Sequence, residues 1–299
     1  MRLRDDPLTD ETLDDVVAFF RAANPFAQLT WGWDTGRFMD WRWGSNTLRA
    51  QEEPGWFAAN CRVFRDDSGI RAIALAESGR GDVCIITPGR EPMIVAAVLE
   101  WLRDAPMAAP GLRCDITDAA DWLATVFRNV GMVEEPGAGH EWEYDLSSVD
   151  PPGEVPEGFT VGSLADDDPA THQAIATCVA AAFDTDRDLR AALVTIEANP
   201  LFRPELSVVA LSPDGRVAAY CRGTVDPGNG VCGIDPVATH PDFQRMGLAT
   251  AVVRTCFQTQ RDLGGRFSYV GSAAEPAPST FLYRSLEPSH AYAVSSWTR

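Results

Sequence analysis

The chain contains no lysine; all 25 of its basic residues are arginine. That absence excludes Schiff-base chemistry and the P-loop, both of which need a lysine amine. No uninterrupted apolar run approaches the length of a membrane span, and no hydrophobic segment follows Met1-Arg-Leu-Arg-Asp-Asp6. The expected compartment is the cytoplasm, with no membrane partner. The seven cysteines are scattered, odd in number and without a Cys-x-x-Cys pair, which argues against a disulfide framework or a zinc site and reads as small buried hydrophobes. The four histidines, His140, His172, His240 and His290, have no metal-ligand spacing, so no metal is expected. Positive charge is scarce against 43 acids; the net charge of −18 repels nucleic acid, and it either keeps the protein in solution or draws in cationic small molecules. No nucleic-acid partner is expected.

What is present is a chain of 299 residues, 45% hydrophobic, long enough for two domains with cores. A Pro/Gly/acid-rich stretch from Ser147 to Glu157 reads as a linker near the midpoint. It divides residues 1–147 from 158–299, with 148–157 between them. In the second half the pattern predicts strand Phe159–Leu164, helices Pro169–Phe183 and Arg187–Ala198, and a hairpin of Leu206–Leu211 with Val217–Val225. Strand Gly230–Ala238, a helix from Gln244 to Leu263, strand Phe267–Gly271, a short helix Ser279–Ser285 and a strand Tyr292–Trp297 follow. The first half repeats this order without an obvious first strand. It has helix Asp10–Ala23, a helical region Trp31–Trp43, strands Trp56–Phe64, Ile70–Ala76 and Asp82–Thr87, helix Met93–Arg103, strand Leu112–Ile116 and helix Ala119–Asn129. A closing pair of strands lies at Met132–Glu134 and Glu141–Leu146.

Two segments align between the halves at nearly the same offset. Ala97 matches Ala251, and Phe127-Arg-Asn-Val-Gly-Met132 matches Tyr283-Arg-Ser-Leu-Glu-Pro288. The fold class expected is therefore α/β, one fold used twice. The copies differ chemically: Met93 stands where the second copy has Gly247, and Phe127 where it has Tyr283.

Between Val237 and Val252 a β-prone segment runs through Gln244-x-x-Gly247-x-Ala249 into helically spaced Leu248, Val252 and Cys256. Chance alone supplies such a six-residue string about 0.3 times in a chain this long. The strand and helix around it therefore carry the weight. A residue without Cβ, followed by one with only a methyl, lets the first amides of a helix approach a phosphate. The segment resembles the acetyl-CoA-binding motif of the GNAT acyltransferase superfamily, and the two-copy layout is similar to the mycothiol synthase-like members. The resemblance implies tandem α/β folds, each a mixed, mostly antiparallel twisted sheet flanked by helices, with acetyl-CoA as cosubstrate and transfer of its acetyl group to a small amine, cationic or neutral. The first half is then a degenerate lobe, and the protein is a monomer or homodimer.

The resemblance also implies roles for individual residues. Val237, Ala238 and Thr239 would offer a strand edge to the pantetheine arm, opened by a bulge at Pro236, and the amide of Val237 or of Ala238 would polarise the thioester carbonyl. Gln244, Arg245, Met246, Gly247, Leu248, Ala249 and Thr250 would form the diphosphate cradle, Gln244 as a brace. Tyr283 is either the general acid for the leaving thiolate or a core tyrosine. Asp235 is either the general base, an anchor for a cationic substrate, or a turn former. The acids in Phe183-Asp-Thr-Asp-Arg-Asp-Leu189 suit a cationic amine or a helix cap. Trp31, Trp33, Trp41 and Trp43 read as packing rather than a cavity lining. An acyl-CoA-binding sensor or scaffold without turnover is the alternative to an enzyme.

Overall fold

The computed structural model describes residues 3–23, 33–79, 81–164, 169–185 and 189–299; Trp31 and 186–188 fall outside these. A four-stranded antiparallel sheet comes first, in the order β1 (Arg4–Pro7), β2 (Cys61–Asp66), β3 (Gly69–Ala76), β4 (Val83–Ile86). Helices α1 (Leu13–Ala23), α2 (Thr35–Trp43), α3 (Ser45–Glu52) and α4 (Trp56–Asn60) lie between β1 and β2. After β4 come α5 (Pro92–Leu102), β5 (Arg113–Thr117), α6 (Asp121–Asn129) and β6 (Val133–Asp145). The second half contributes β7 (Thr160–Ser163), α7 (Pro169–Ala182), α8 (Arg190–Ile196), β8 (Ser207–Leu211), β9 (Val217–Asp226) and β10 (Val231–Thr239). It continues with α9 (Leu248–Asp262), β11 (Phe267–Ala273), α10 (Pro278–Ser285) and β12 (His290–Thr298).

The second sheet has eight strands in the order β5-β12-β6-β11-β10-β9-β8-β7. Among the described residues only β10 and β11 run parallel within it; β6, from before the linker, lies between β11 and β12. A parallel bridge between Asp82 and Arg113 links the two sheets at β4 and β5. The last strand of each half therefore sits against the other half. Trp142 and Tyr144 of β6 pack with Leu206, Val252 and Phe257, while Trp297 of β12 packs with Val98, Leu123 and Phe127. The alternation of apolar residues in these strands explains why they join sheets. It does not specify which sheet.

Local chemistry explains where elements begin. In α9 the buried Leu248, Ala251, Val252, Cys256 and Phe257 recur at helical spacing and cover β8 and β9, whose ten residues in β9 are all buried. The helix starts at Leu248 rather than Gln244, because Arg245 and Gly247 take left-handed backbone angles (φ 62° and 79°) that cannot continue a helix. Three other expectations are corrected. A first strand exists, β1, but its Arg-Asp-Asp-Pro sequence carries no apolar alternation. The expected strand at Trp56–Phe64 begins as a helical turn after Gly55, itself left-handed at φ 93°. The expected closing pair is one strand, β6, in which Gly137 and Ala138 bulge out opposite Val294 and Ser295.

Direct contacts join the halves. Arg21 pairs with buried Asp226 at 2.8 Å, and Asp40 takes bonds from Arg222 and Asn199, each at 2.9 Å. At Gly36 a Cβ would collide with the Thr224 hydroxyl, so α2 lies directly on β9. Trp33 and Trp41 are buried in the first half's core.

Candidate active site

The site forms where β10 leaves β11. Their pairing ends at Gly233–Tyr269, and in the next register step Asp235 and Pro236 together face Arg222 on β9, a bulge. Beyond it, β10 pairs only with β9, from Val237 to Thr239. His240 donates to Ala218 of β9 at 2.9 Å. Strand alternation then turns the polar groups of Ala238 towards β9 and those of Val237 and Thr239 towards the open edge.

A cavity of about 500 Å³ occupies this opening. Its lining brings together Val237, Ala238, Thr239, Gln244, Arg245, Gly247, Leu248, Ala249, Thr250 and Tyr283. Met246 lies outside that lining, with its side chain in solvent. Among the described residues, no carbonyl or side chain accepts from the amides of residues 245 to 250; Ala251 makes the first bond of α9, to Gly247 at 3.1 Å. Six consecutive free donors at a helix N-terminus form an anion site. A Cβ on Gly247 would point into open space rather than into protein, which leaves that approach clear for a phosphate.

Asp235 lines a second cavity, of about 470 Å³, which shares Val237, Tyr283, Ser279 and Phe183 with the first. Tyr283 is nearly buried, and its hydroxyl makes no hydrogen bond with a described residue; its carbonyl accepts from the Tyr144 hydroxyl at 2.7 Å. The phenol is thus held by its backbone with its oxygen left for the cavity. Burial raises its pKa well above the ordinary range, with Cys221 and Asp235 adding to the effect. At neutral pH it keeps its proton. The Asp235 carboxyl is exposed to the cavity. Burial raises its pKa, Arg37 and Arg222 oppose the rise, and Asp40 and Glu77 reinforce it.

Several lining residues were not singled out in the sequence. Asp34, Arg37 and Asp40 reach the second cavity from the first half's α2, and Glu141 reaches it from the exchanged strand β6. Asp34 caps α2 by accepting from the Arg37 amide at 2.7 Å, and burial pushes its pKa up to about 6. The Asp34-Thr-Gly-Arg37 run is a legible helix start, but nothing local ties it to a strand some 200 residues later. The first half's counterpart of the cradle is different in kind. Pro92 has no amide to offer, and Met93 projects into solvent, while Phe127 is buried against Trp297 at 5.6 Å between ring centroids.

A sheet split by a bulge, with a helix N-terminus of free amides across the gap, defines the acyl-CoA N-acyltransferase fold. Residues 172–286, within the C-terminal half, match the Acetyltransferase (GNAT) family. Solved structures extend the likeness of fold to the whole chain. A tandem GNAT protein from the clavulanic acid biosynthesis pathway is 15% identical, covering 100% of this chain and 98% of its own, with a TM-score of 0.65. A GNAT-family acetyltransferase from Colwellia psychrerythraea is 8% identical over 100% and 99%, at 0.63. A GCN5-related N-acetyltransferase from Sphaerobacter thermophilus is 18% identical over 98% and 95%, at 0.59. No curated protein sequence matches the chain. No described helix is long and apolar enough to cross a membrane, and the described residues contain no cluster of potential metal ligands.

Proposed function

We propose that the protein transfers an acetyl group from acetyl-CoA to the amine of a small cationic molecule, in the cytoplasm, using only its second half for the chemistry. The observation that carries this is the meeting of the two cavities at Val237 and Tyr283, one beside the free amides of 245–250 and the other beside Asp235. The diphosphate sits on those amides, Arg245 adding charge, and the pantetheine arm lies along the open edge of Val237 and Thr239. Asp235 accepts a proton from the incoming ammonium, directly or through water, and the freed amine attacks the thioester carbonyl. The Val237 amide donates to the oxyanion, the C–S bond breaks, the departing thiolate takes the Tyr283 proton, and the nitrogen's remaining excess proton passes to the tyrosinate directly or through water, restoring the phenol. The carboxylates Asp34, Asp40, Asp235 and Glu141 outnumber the single Arg37 on the second cavity's wall, a field that favours a cation.

The same reading assigns residues 1–147 to a degenerate lobe without acyl-CoA of its own, 148–157 to the linker and 158–299 to the catalytic lobe. Thiol release from acetyl-CoA, measured across a panel of amines, tests it. Amine-dependent release is expected. Binding of acetyl-CoA with no release for any amine would make the chain a sensor instead, and native mass spectrometry showing two bound acetyl-CoA molecules would overturn the assignment of the first half.

A further inference from the structure

A third cavity, of about 540 Å³, opens between α2 and α3 of the first half and α7 and α8 of the second. It is continuous with the acceptor chamber through Asp235, Asp40, Arg37 and Phe183, which line both. Its wall between these residues is largely apolar, made by Trp41, Val179, Leu189, Leu193 and Ile196. Phe183 is 57% exposed, an unusual state for a phenylalanine, and it lines all three cavities.

The charges of this outer cavity differ from those of the chamber. Asp40, Glu77 and Asp235 are matched by Arg37, Arg49 and Arg222. Two of the arginines are already neutralised, Arg37 by Glu77 at 2.8 Å and Arg222 by Asp40 at 2.9 Å. Arg49 is not. It donates to the Ser78 carbonyl at 3.0 Å and lies over the Trp56 ring at 4.5 Å, and no described carboxylate pairs with it. These two contacts fix the guanidinium plane while leaving its charge uncompensated and donors to spare. The joined cavities thus hold a carboxylate, Asp235, that both share, an apolar wall, and a guanidinium, Arg49, that lines the outer cavity and not the chamber, neither charge paired with a described residue.

Building on the acetyltransferase reading above, we propose that the acceptor is an elongated amino carboxylate, its amine at Asp235 and its carboxylate on Arg49. Arg49 is then a specificity-determining residue supplied by the half that does no chemistry. A fixed guanidinium binds carboxylate through two parallel bonds, so the carboxylated acceptor gains over its uncharged analogue. Losing a charged hydrogen-bonding partner of this kind changes binding by roughly ten- to a hundredfold.

The test uses the full-length chain with acetyl-CoA and three matched series of probes: straight-chain primary amines, the ω-amino carboxylates of the same lengths, and their methyl esters. At one chain length the amino carboxylate is expected to have a KM lower than amine or ester by about tenfold or more. Arg49→Gln is expected to raise KM for the carboxylate alone, and Arg49→Lys to restore part of the preference. Equal KM values across the three series, or an Arg49→Gln effect shared by all three, would overturn the proposal while leaving acetyl transfer standing. Absence of turnover for every probe would instead sink the acetyltransferase reading. In that case calorimetric binding of the same probes to the acetyl-CoA-loaded protein decides the Arg49 assignment, equal affinity for carboxylate and ester overturning it.

Discussion

Trp142, which precedes the linker, is buried in the core of the second half, and Trp297, in the last strand of the chain, is buried in the core of the first. Each half thus completes the other's interior. Trp297 stacks edge-on against Phe127 at 5.6 Å and has the Arg128 guanidinium 5.1 Å from its ring, so a residue near the C-terminus supports the N-terminal α6. Truncating it removes a fully buried aromatic and leaves a void that two flanking elements cannot readily close. Trp297→Ala is expected to destabilise the protein by roughly 3 to 5 kcal/mol. The measurement is urea denaturation with hydrogen exchange, in which protection should fall in α5 and α6 as well as in β12. Loss confined to the second half would show that the exchanged strand does not hold the first.

Gly247 carries two requirements that can be separated by substitution. Its φ of 79° is strained for any side chain, and its missing Cβ faces open cavity. Gly247→Ala should cost roughly 1 to 2 kcal/mol of stability through the backbone alone. Gly247→Glu should in addition lower acetyl-CoA affinity at least about tenfold, because a carboxylate then stands where the diphosphate must come. Met246→Ala, one residue earlier and outside the cavity, is the control and should leave affinity unchanged. Calorimetric titration of the three variants distinguishes these effects, and native affinity in Gly247→Glu would refute the cradle.

Much of this site is contiguous in the chain, which is why it could be read early. The bulge at Pro236 and the cradle follow from residue types whose backbone constraints are local: a proline without a donor and a glycine at positive φ. The starting point of α9 was misplaced because left-handed Arg245 is not marked by its residue type. The acceptor chamber was not legible for a different reason. Asp34, Arg37, Asp40 and Glu141 reach it only because α2 docks on β9 and β6 crosses into the other sheet. Both are tertiary outcomes in which apolar alternation specifies a strand but leaves its neighbours open.

Tyr283 and Asp235 should respond differently to removal of their ionisable groups. Tyr283→Phe keeps the ring in its core position; on the proposed mechanism it deletes the proton given to the thiolate, so kcat should fall roughly 10²- to 10⁴-fold with little change in KM. On the same mechanism, Asp235→Asn deletes a base that works only when ionised. In the unmodified protein kcat/KM should rise with pH through a limb displaced above the ordinary aspartate value of 3.8, the direction in which burial moves this carboxyl. That limb should vanish in Asp235→Asn. Persistence of the limb would assign it to another group, and an unchanged kcat in Tyr283→Phe would remove the tyrosine from the mechanism.

Asp34 links pH to the joint between the halves. Its carboxyl is raised from 3.8 to about 6 in the folded protein, chiefly by burial, with Asp40 adding and the Arg37 amide opposing. Between those values the folded state holds a proton that the unfolded state has lost, so stability falls as pH rises from about 4 through 6 and stays lower above it. The group's contribution is about 3 kcal/mol, from roughly two pKa units at 1.36 kcal/mol each. Asp34→Asn preserves a side-chain oxygen for the Arg37 amide, since asparagine is as good an N-cap as aspartate. It removes the cost of ionising a carboxyl against Asp40 and the buried face of β10. The variant is therefore expected to match the parent at pH 4 and exceed it in stability at pH 8, with the gap opening near pH 6. Denaturant melts across that range measure it directly, and a variant equally destabilised at both ends would mean that the carboxylate, not the neutral acid, is what the fold requires at the mouth of α2.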